Sequence, residues 1–398
     1  MKLPTNLLSL ALARALNLFL KSGIRAGEDG YCGLFNLNRG IFGLGAILLL
    51  FVSCNRAIVP TETTQPPQKL QVPTQGAYTG AFIDFGDTED DVTIEAIENF
   101  EETVGKHQAI IASSSYWGEQ TFPTENINLI WRHGSIPLIF WSPWDKPYDE
   151  DNGPDKFSLS TIIEGKWDGY IDQWAESASK FGQPMFVSFC NEMNGTWFPW
   201  SGCFYGGKKI IPGSNPKKYE GPEIFKTAYR HVVDRVRSKG ATNILWVFHV
   251  MNYSYPQDVW NLAAQYYPGS DYVDWLGLSV YGEQDREDPW VDFLPLIEWP
   301  YEEMRRIDAS KPLMLAEWGI GEFPKFGKKS QFIKDFFAAI KTKYPNVKAA
   351  VFWNERWQNE DDAYSNLRVN SSPEALDAYR NGVADPYWLG APILQPAR

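Results

Sequence analysis

From about Gly80 onward, short apolar runs alternate with longer stretches in which apolar residues recur every three or four positions. The runs are Gly80–Phe85, Gln108–Ser113, Pro137–Trp141, Met185–Phe189, Asn243–His249, Trp275–Val280, Pro312–Ala316 and Val347–Trp353. Near-continuous apolar character over so few residues is what a strand covered on both faces requires. The stretches between them, Ile224–Val236 and Gln331–Lys341 among them, carry the helical period. Eight strands, each followed by a helix or a long loop, predict a (β/α)8 barrel as a single domain over residues 77–398. A doubly wound sheet is the structural alternative, but the chain has neither a GxGxxG turn nor a phosphate loop. No repeat of the length that marks a solenoid or propeller is visible.

The pattern is different ahead of residue 77. Ile41–Val52 is an uncharged apolar run behind Arg39, shorter than the roughly 20 residues a bilayer span needs but of signal-peptide length. It closes in Phe51-Val52-Ser53-Cys54, which resembles a bacterial lipoprotein processing box with Phe in place of the usual Leu. Residues 1–54 therefore read as an export signal with Cys54 as the lipid-attachment site; an ordinary cleaved signal with an incidental cysteine is the other reading. The segment before the apolar run is long for a leader, and no methionine lies between Met1 and Met185, which points to a misassigned start. Residues 55–76 hold Pro60, Pro66, Pro67 and Pro73 among Thr and Gln and read as a linker. The expected location is the cell envelope or the medium, and the expected state is a monomer.

Charge sharpens this division. Of the net −12, residues 1–56 contribute +4 and the rest −16. An acidic body argues against nucleic acid, which selects a basic face. Four cysteines in 398 residues make no disulfide framework and show no zinc spacing, although Cys190 and Cys203 are close enough in sequence either to pair or to stay free. His107, His133, His231 and His249 have no HExxH spacing, so no metal or other cofactor is expected. His133 reads as a surface residue or as one reaching the barrel mouth. Asp84, Asp87, Glu89, Asp90 and Asp91 read as a solvated loop, since they lack EF-hand spacing. There is no GxSxG elbow for a serine nucleophile. Seventeen tryptophans, all after residue 116, are enough both to fill a core and to line a groove for a flat ligand such as a sugar ring.

In a barrel of this kind, chemistry gathers at the C-terminal ends of the strands. Two apolar runs lead directly into a glutamate there: FVSFCNE ends at Glu192 and PLMLAE at Glu317. Period-two alternation would put Ser188, Cys190 and Glu192 on one face. Two carboxyl groups brought together by the fourth and seventh strands suit acetal hydrolysis, with one protonated for the leaving oxygen and the other ionised. A gap of about 5–5.5 Å gives retention, and roughly 6.5–9.5 Å gives inversion. Asn354-Glu355 repeats the Asn-Glu pair after the eighth strand, but Trp353 better suits that strand's end.

CNEMNGTWFPW (Cys190–Trp200), DYVDWLGLSVYG (Asp271–Gly282) and LAEWG (Leu315–Gly319) resemble glycoside hydrolase family 26. The resemblance runs over roughly residues 80–390. It implies a retaining (β/α)8 glycosidase with a polysaccharide substrate, Glu192 as acid/base and Glu317 as nucleophile. By the same resemblance Tyr281 hydrogen-bonds the nucleophile, Trp353 is the platform at the cleavage point, Trp197 lines the neighbouring subsite and Asn191 meets the sugar 2-hydroxyl. Family mannanases carry His before the acid/base and after the third strand's Trp, where this chain has Asn191 and Ser142. The expected substrate is a β-1,4-linked glycan, with β-mannan ahead of mixed-linkage β-glucan and xylan. A non-catalytic carbohydrate-binding protein on the same barrel is the reading from another class, and the paired carboxylates argue against it.

Overall fold

The computed structural model describes residues 66–147, 153–285, 289–359 and 363–397. The proposed export signal with Cys54, and the first part of the predicted linker, lie outside them. Eight parallel strands follow one another around a closed sheet: β1 Ala77–Phe82, β2 Ile110–Tyr116, β3 Ile136–Ser142, β4 Met185–Phe189, β5 Ile244–Met251, β6 Trp275–Tyr281, β7 Leu313–Gly319 and β8 Val347–Trp353. Pairing of β1 with β8, from Tyr78↔Ala349 to Phe82↔Trp353, closes the barrel. Closure leaves no free edge among the eight, and the strands are buried over nearly their whole length. That is why they read in the sequence as apolar runs rather than as alternating ones.

The helices of the outer ring are α1 Ile94–Val104, α2 Thr124–His133, α3 Asp168–Phe181, α4 Glu220–Ser238, a single turn α5 Ala263–Tyr266, α6 Phe293–Ile307, α7 Lys329–Lys343 and α8 Pro373–Val383. Their starts follow local chemistry: Thr93 accepts from the Ala96 amide to cap α1, and Ser372 does the same for α8 ahead of Pro373. Some tryptophans fill the layer between strands and helices. Trp141 stacks on Trp174 at 4.1 Å, and Trp318 stacks on Phe336 at 3.4 Å. Trp318, next to Glu317 in sequence, therefore faces the helices and not the mouth.

One boundary and one surface assignment differ from the sequence reading. The body begins earlier than residue 77, because Gln68–Leu70 pairs antiparallel with Leu394–Pro396 and Leu70 is buried. A short stretch of polar and apolar residues found a partner strand at the far end of the chain, a pairing no local pattern announces. The acidic segment after β1 is only partly solvated: Glu89 is buried, accepts from Ser114 Oγ at 2.7 Å, and is anchored to β2.

The loop after β8 is clamped by a buried cation. Lys329, at the start of α7, is 1% exposed and donates to the carbonyls of Asn366 (3.2 Å) and Arg368 (2.9 Å). Burial draws its ammonium down to about 7, against the opposing pull of Glu322. The unfolded chain therefore holds this proton up to about pH 10 while the folded one releases it near 7, so folding stability gains with rising pH between those values. The thermal midpoint of the wild type should rise relative to that of Lys329→Met from pH 7 to pH 9. Parallel curves for the two proteins would show that the ammonium stays charged in the fold.

Candidate active site

β4 ends at Phe189, one turn short of Glu192. Cys190 and Glu192 then adopt left-handed backbone conformations, with φ of 54° and 53°. Non-glycine residues there cost about 1–2 kcal/mol each, so the surrounding structure must hold them. The predicted alternation of Ser188, Cys190 and Glu192 along one strand face fails at this point; Glu192 reaches its position through a tight turn. Its amide bonds the His249 carbonyl of β5 at 2.9 Å, and Trp200 Nε1 donates to the Asn191 carbonyl at 2.6 Å. Asn194 fastens the loop to β5, donating to the Met251 carbonyl and accepting from the Met251 amide, each at 3.0 Å.

Trp197 folds back over the same turn and donates Nε1–H to Glu192 Oε2 at 2.6 Å. Gly195 makes this possible, since a Cβ there would lie 2.4 Å from the indole. Trp197 packs on Met251 and Tyr253 at the end of β5, with Phe198, Tyr255 and Val291 around them. Cys190 is buried and Cys203 half-buried; both are free thiols and no bridge joins them. Burial raises the Cys190 thiol well above its ordinary range, so it stays protonated and behaves as a small apolar side chain.

Glu317 sits within β7, where the strand carries a bulge. Leu278 opposes Leu315 and Ser279 opposes Glu317, so one extra residue stands on β7; a second irregularity faces β8 between Leu315 and Trp318. Such an insertion re-aims a side chain without ending the strand. Tyr281, the last residue of β6, donates its hydroxyl to Glu317 Oε2 at 2.8 Å. Asn191 Nδ2 makes a long contact of 3.5 Å to Glu317 Oε1. The side chain beside Glu192 in sequence thus touches the second carboxylate, which places the two predicted glutamates at one site. Both are nearly enclosed, at 3% and 7% exposure.

Beneath Glu317 lies a polar chain that the sequence reading missed. Ser188 Oγ is 3.0 Å from His249 Nδ1, and His249 Nε2 is 2.8 Å from Ser279 Oγ and 3.9 Å from Glu317 Oε1. Burial lowers the imidazole to about 3, so His249 is neutral at ordinary pH and adds no positive charge beside the carboxylate. The signal available in the sequence was a histidine at the end of a barrel strand. A second omission concerns Glu355, set aside because Trp353 better suits the end of β8. It accepts from Trp353 Nε1 at 2.7 Å while Phe82 stacks under the indole at 4.0 Å, so Trp353 is pinned from two sides. Asn354 accepts from the Val369 amide at 2.8 Å and anchors the following loop. His133 is at the end of α2, away from this mouth, against Glu101 and His107.

A family model described as Glycosyl hydrolase family 26 matches residues 127–371, which include both glutamates. Endoglucanase H of Acetivibrio thermocellus is 29% identical over 72% of this chain, and a mannan endo-1,4-beta-mannosidase of Bacillus subtilis is 25% identical over 57%. The aligned parts make up 29% and 58% of those two proteins, so the chain spans less than two thirds of either relative. Among solved structures, the catalytic domain of the Bacillus sp. JAMB-750 GH26 endo-beta-1,4-mannanase superposes with a TM-score of 0.57. That match has 19% identity and covers 79% of this chain and 87% of the other, a likeness of fold. With the family model covering more than half of the chain and both glutamates inside the matched segment, the protein belongs to glycosyl hydrolase family 26.

Proposed function

We propose that the protein is a retaining endo-β-glycosidase acting on a β-1,4-linked polysaccharide. The observation that carries this is the convergence at one mouth of two glutamates with different partners: an indole N–H on Glu192, and a phenol with an amide on Glu317. Two donors facing Glu317 favour its ionised form, as an attacking carboxylate requires. In the first step Glu317 bonds to the anomeric carbon while the glycosidic C–O bond breaks and the Glu192 proton passes to the leaving oxygen. In the second, Glu192 takes a proton from water, the water oxygen bonds to the anomeric carbon, and the Glu317 ester bond breaks. A pure binder has no use for two enclosed carboxyl groups held in this way. Export through the basic leader belongs to the same reading, since polysaccharide is met outside the cell.

β-Mannan is the preferred substrate on this reading, in keeping with the mannosidase relative; Asn191 and Ser142, where family mannanases carry histidine, favour mixed-linkage β-glucan as the second. Hydrolysis assays on mannan, lichenan and β-xylan decide between them, with the product's anomeric configuration followed by NMR. Inversion would overturn the mechanism, and inactivity on every β-glycan would favour the binder. Tyr281→Phe tests the electrostatics. Hydrogen bonds to charged groups contribute about 1.5–3 kcal/mol, so kcat should fall roughly 10–100-fold, with KM little changed. A rate equal to the wild type's would mean that the phenol does not support the charge.

A further inference from the structure

We propose that Glu101, His107 and His133 form a site for one divalent transition-metal ion of the zinc type at the foot of the barrel. Glu101 is in the last turn of α1, His107 just precedes β2, and His133 is the last residue of α2, ahead of β3. All three therefore belong to the end of the barrel opposite the glutamates, and nothing in the proposed chemistry uses them.

The donor set and its geometry both point to a metal. Two imidazole nitrogens and a carboxylate are the three-protein-ligand set of open zinc sites, with a water as the fourth ligand. His107 Nδ1 lies 2.9 Å from the Glu101 carboxylate and His133 Nε2 lies 3.1 Å from it. The ligand atoms of all three fall within 4.8 Å of one another. An ion bound tetrahedrally at about 2.0–2.2 Å holds its donors roughly 3.3–3.6 Å apart, slightly further than the two histidine–carboxylate separations.

The outer partners are already in place. The Gln108 amide donates to Glu101 Oε1 at 2.8 Å and leaves Oε2 turned toward His133. The far side of the His107 ring lies beside Gly134, while Nδ1 faces the carboxylate at 2.9 Å. Gly134 caps α2 at φ 96°, and a Cβ there would stand 3.6 Å from His107 Nε2. The side chains are 14%, 35% and 12% exposed for Glu101, His107 and His133, so the cluster is held by the fold yet open to an ion on the His107 side.

The test uses the full chain without a polyhistidine tag, stripped with EDTA and titrated with Co²⁺ and with Zn²⁺. One equivalent of Co²⁺ should bind with the intense visible bands of a low-coordinate site, and excess Zn²⁺ should raise the thermal midpoint by a few degrees. His107→Gln and His133→Gln should each weaken binding more than about 100-fold, since outer partners alone are worth roughly 10–100-fold. Glycosidase activity should be the same in EDTA and in Zn²⁺, which separates this site from the mouth. Wild-type protein that shows neither the bands nor the midpoint rise would overturn the proposal, as would unaltered binding in both variants. Should a variant fail to fold, X-ray absorption of the zinc-loaded wild type decides the matter: two imidazole ligands support the site and their absence overturns it.

Discussion

Glu317→Ala should lower turnover of the polysaccharide by about 10⁴–10⁶-fold, the scale at which losing a nucleophile leaves only binding and the remaining donors. The loss follows from position. Glu317 is the carboxylate that receives both the Tyr281 hydroxyl and the Asn191 amide, and the bulge in β7 aims it away from the helices that hold Trp318. Removing it takes away the proposed nucleophile for the anomeric carbon. Added azide should enter the space vacated and attack an aryl β-glycoside from the same face, giving an α-glycosyl azide. That product distinguishes a missing nucleophile from a damaged fold, because a distorted barrel gives no azide adduct. More than about 1% residual activity, or a β-azide, would remove Glu317 from the attacking role.

The barrel was legible because its strands are buried on both faces. Each apolar run becomes a strand within a few residues, and Met185–Phe189 and Val347–Trp353 match at both ends. The two glutamates were legible for a related reason, since a charged residue that ends an apolar run stands out. The path by which each carboxylate reaches the mouth was not visible. Cys190 and Glu192 turn left-handed and β7 bulges beside Glu317, and both features depend on hydrogen bonds and neighbours contributed from other strands. Long-range partners escaped for the same reason: His249 meets Ser188 across 61 residues, and Gln68–Leu70 finds its strand at the far end of the chain. Trp353 was preferred over Glu355 for the end of β8, and the two turn out to be hydrogen-bonded to each other. Local periodicity carries no information about such pairings.

Glu192→Ala should divide substrates by their leaving groups. On the polysaccharide, whose alkoxide leaves poorly without a proton, kcat/KM should fall about 10²–10⁴-fold, the usual worth of general acid catalysis. A dinitrophenyl glycoside needs no proton to depart, so Glu317 should still be glycosylated at close to the normal rate. The second step then stalls, because the same residue has to draw a proton from water. The aryl substrate should therefore show a burst of one equivalent followed by slow turnover. Azide, which attacks without a base, should restore the steady rate and yield a β-glycosyl azide. Trp197 supplies the control. In Glu192→Ala its buried indole N–H loses the acceptor it had at 2.6 Å, at a cost of about 1–3 kcal/mol. Glu192→Gln keeps an oxygen there and should show the same kinetic split with a thermal midpoint close to that of the wild type. Equal losses on both substrates in the glutamine variant would mean that residue 192 positions the sugar and that the proton comes from elsewhere.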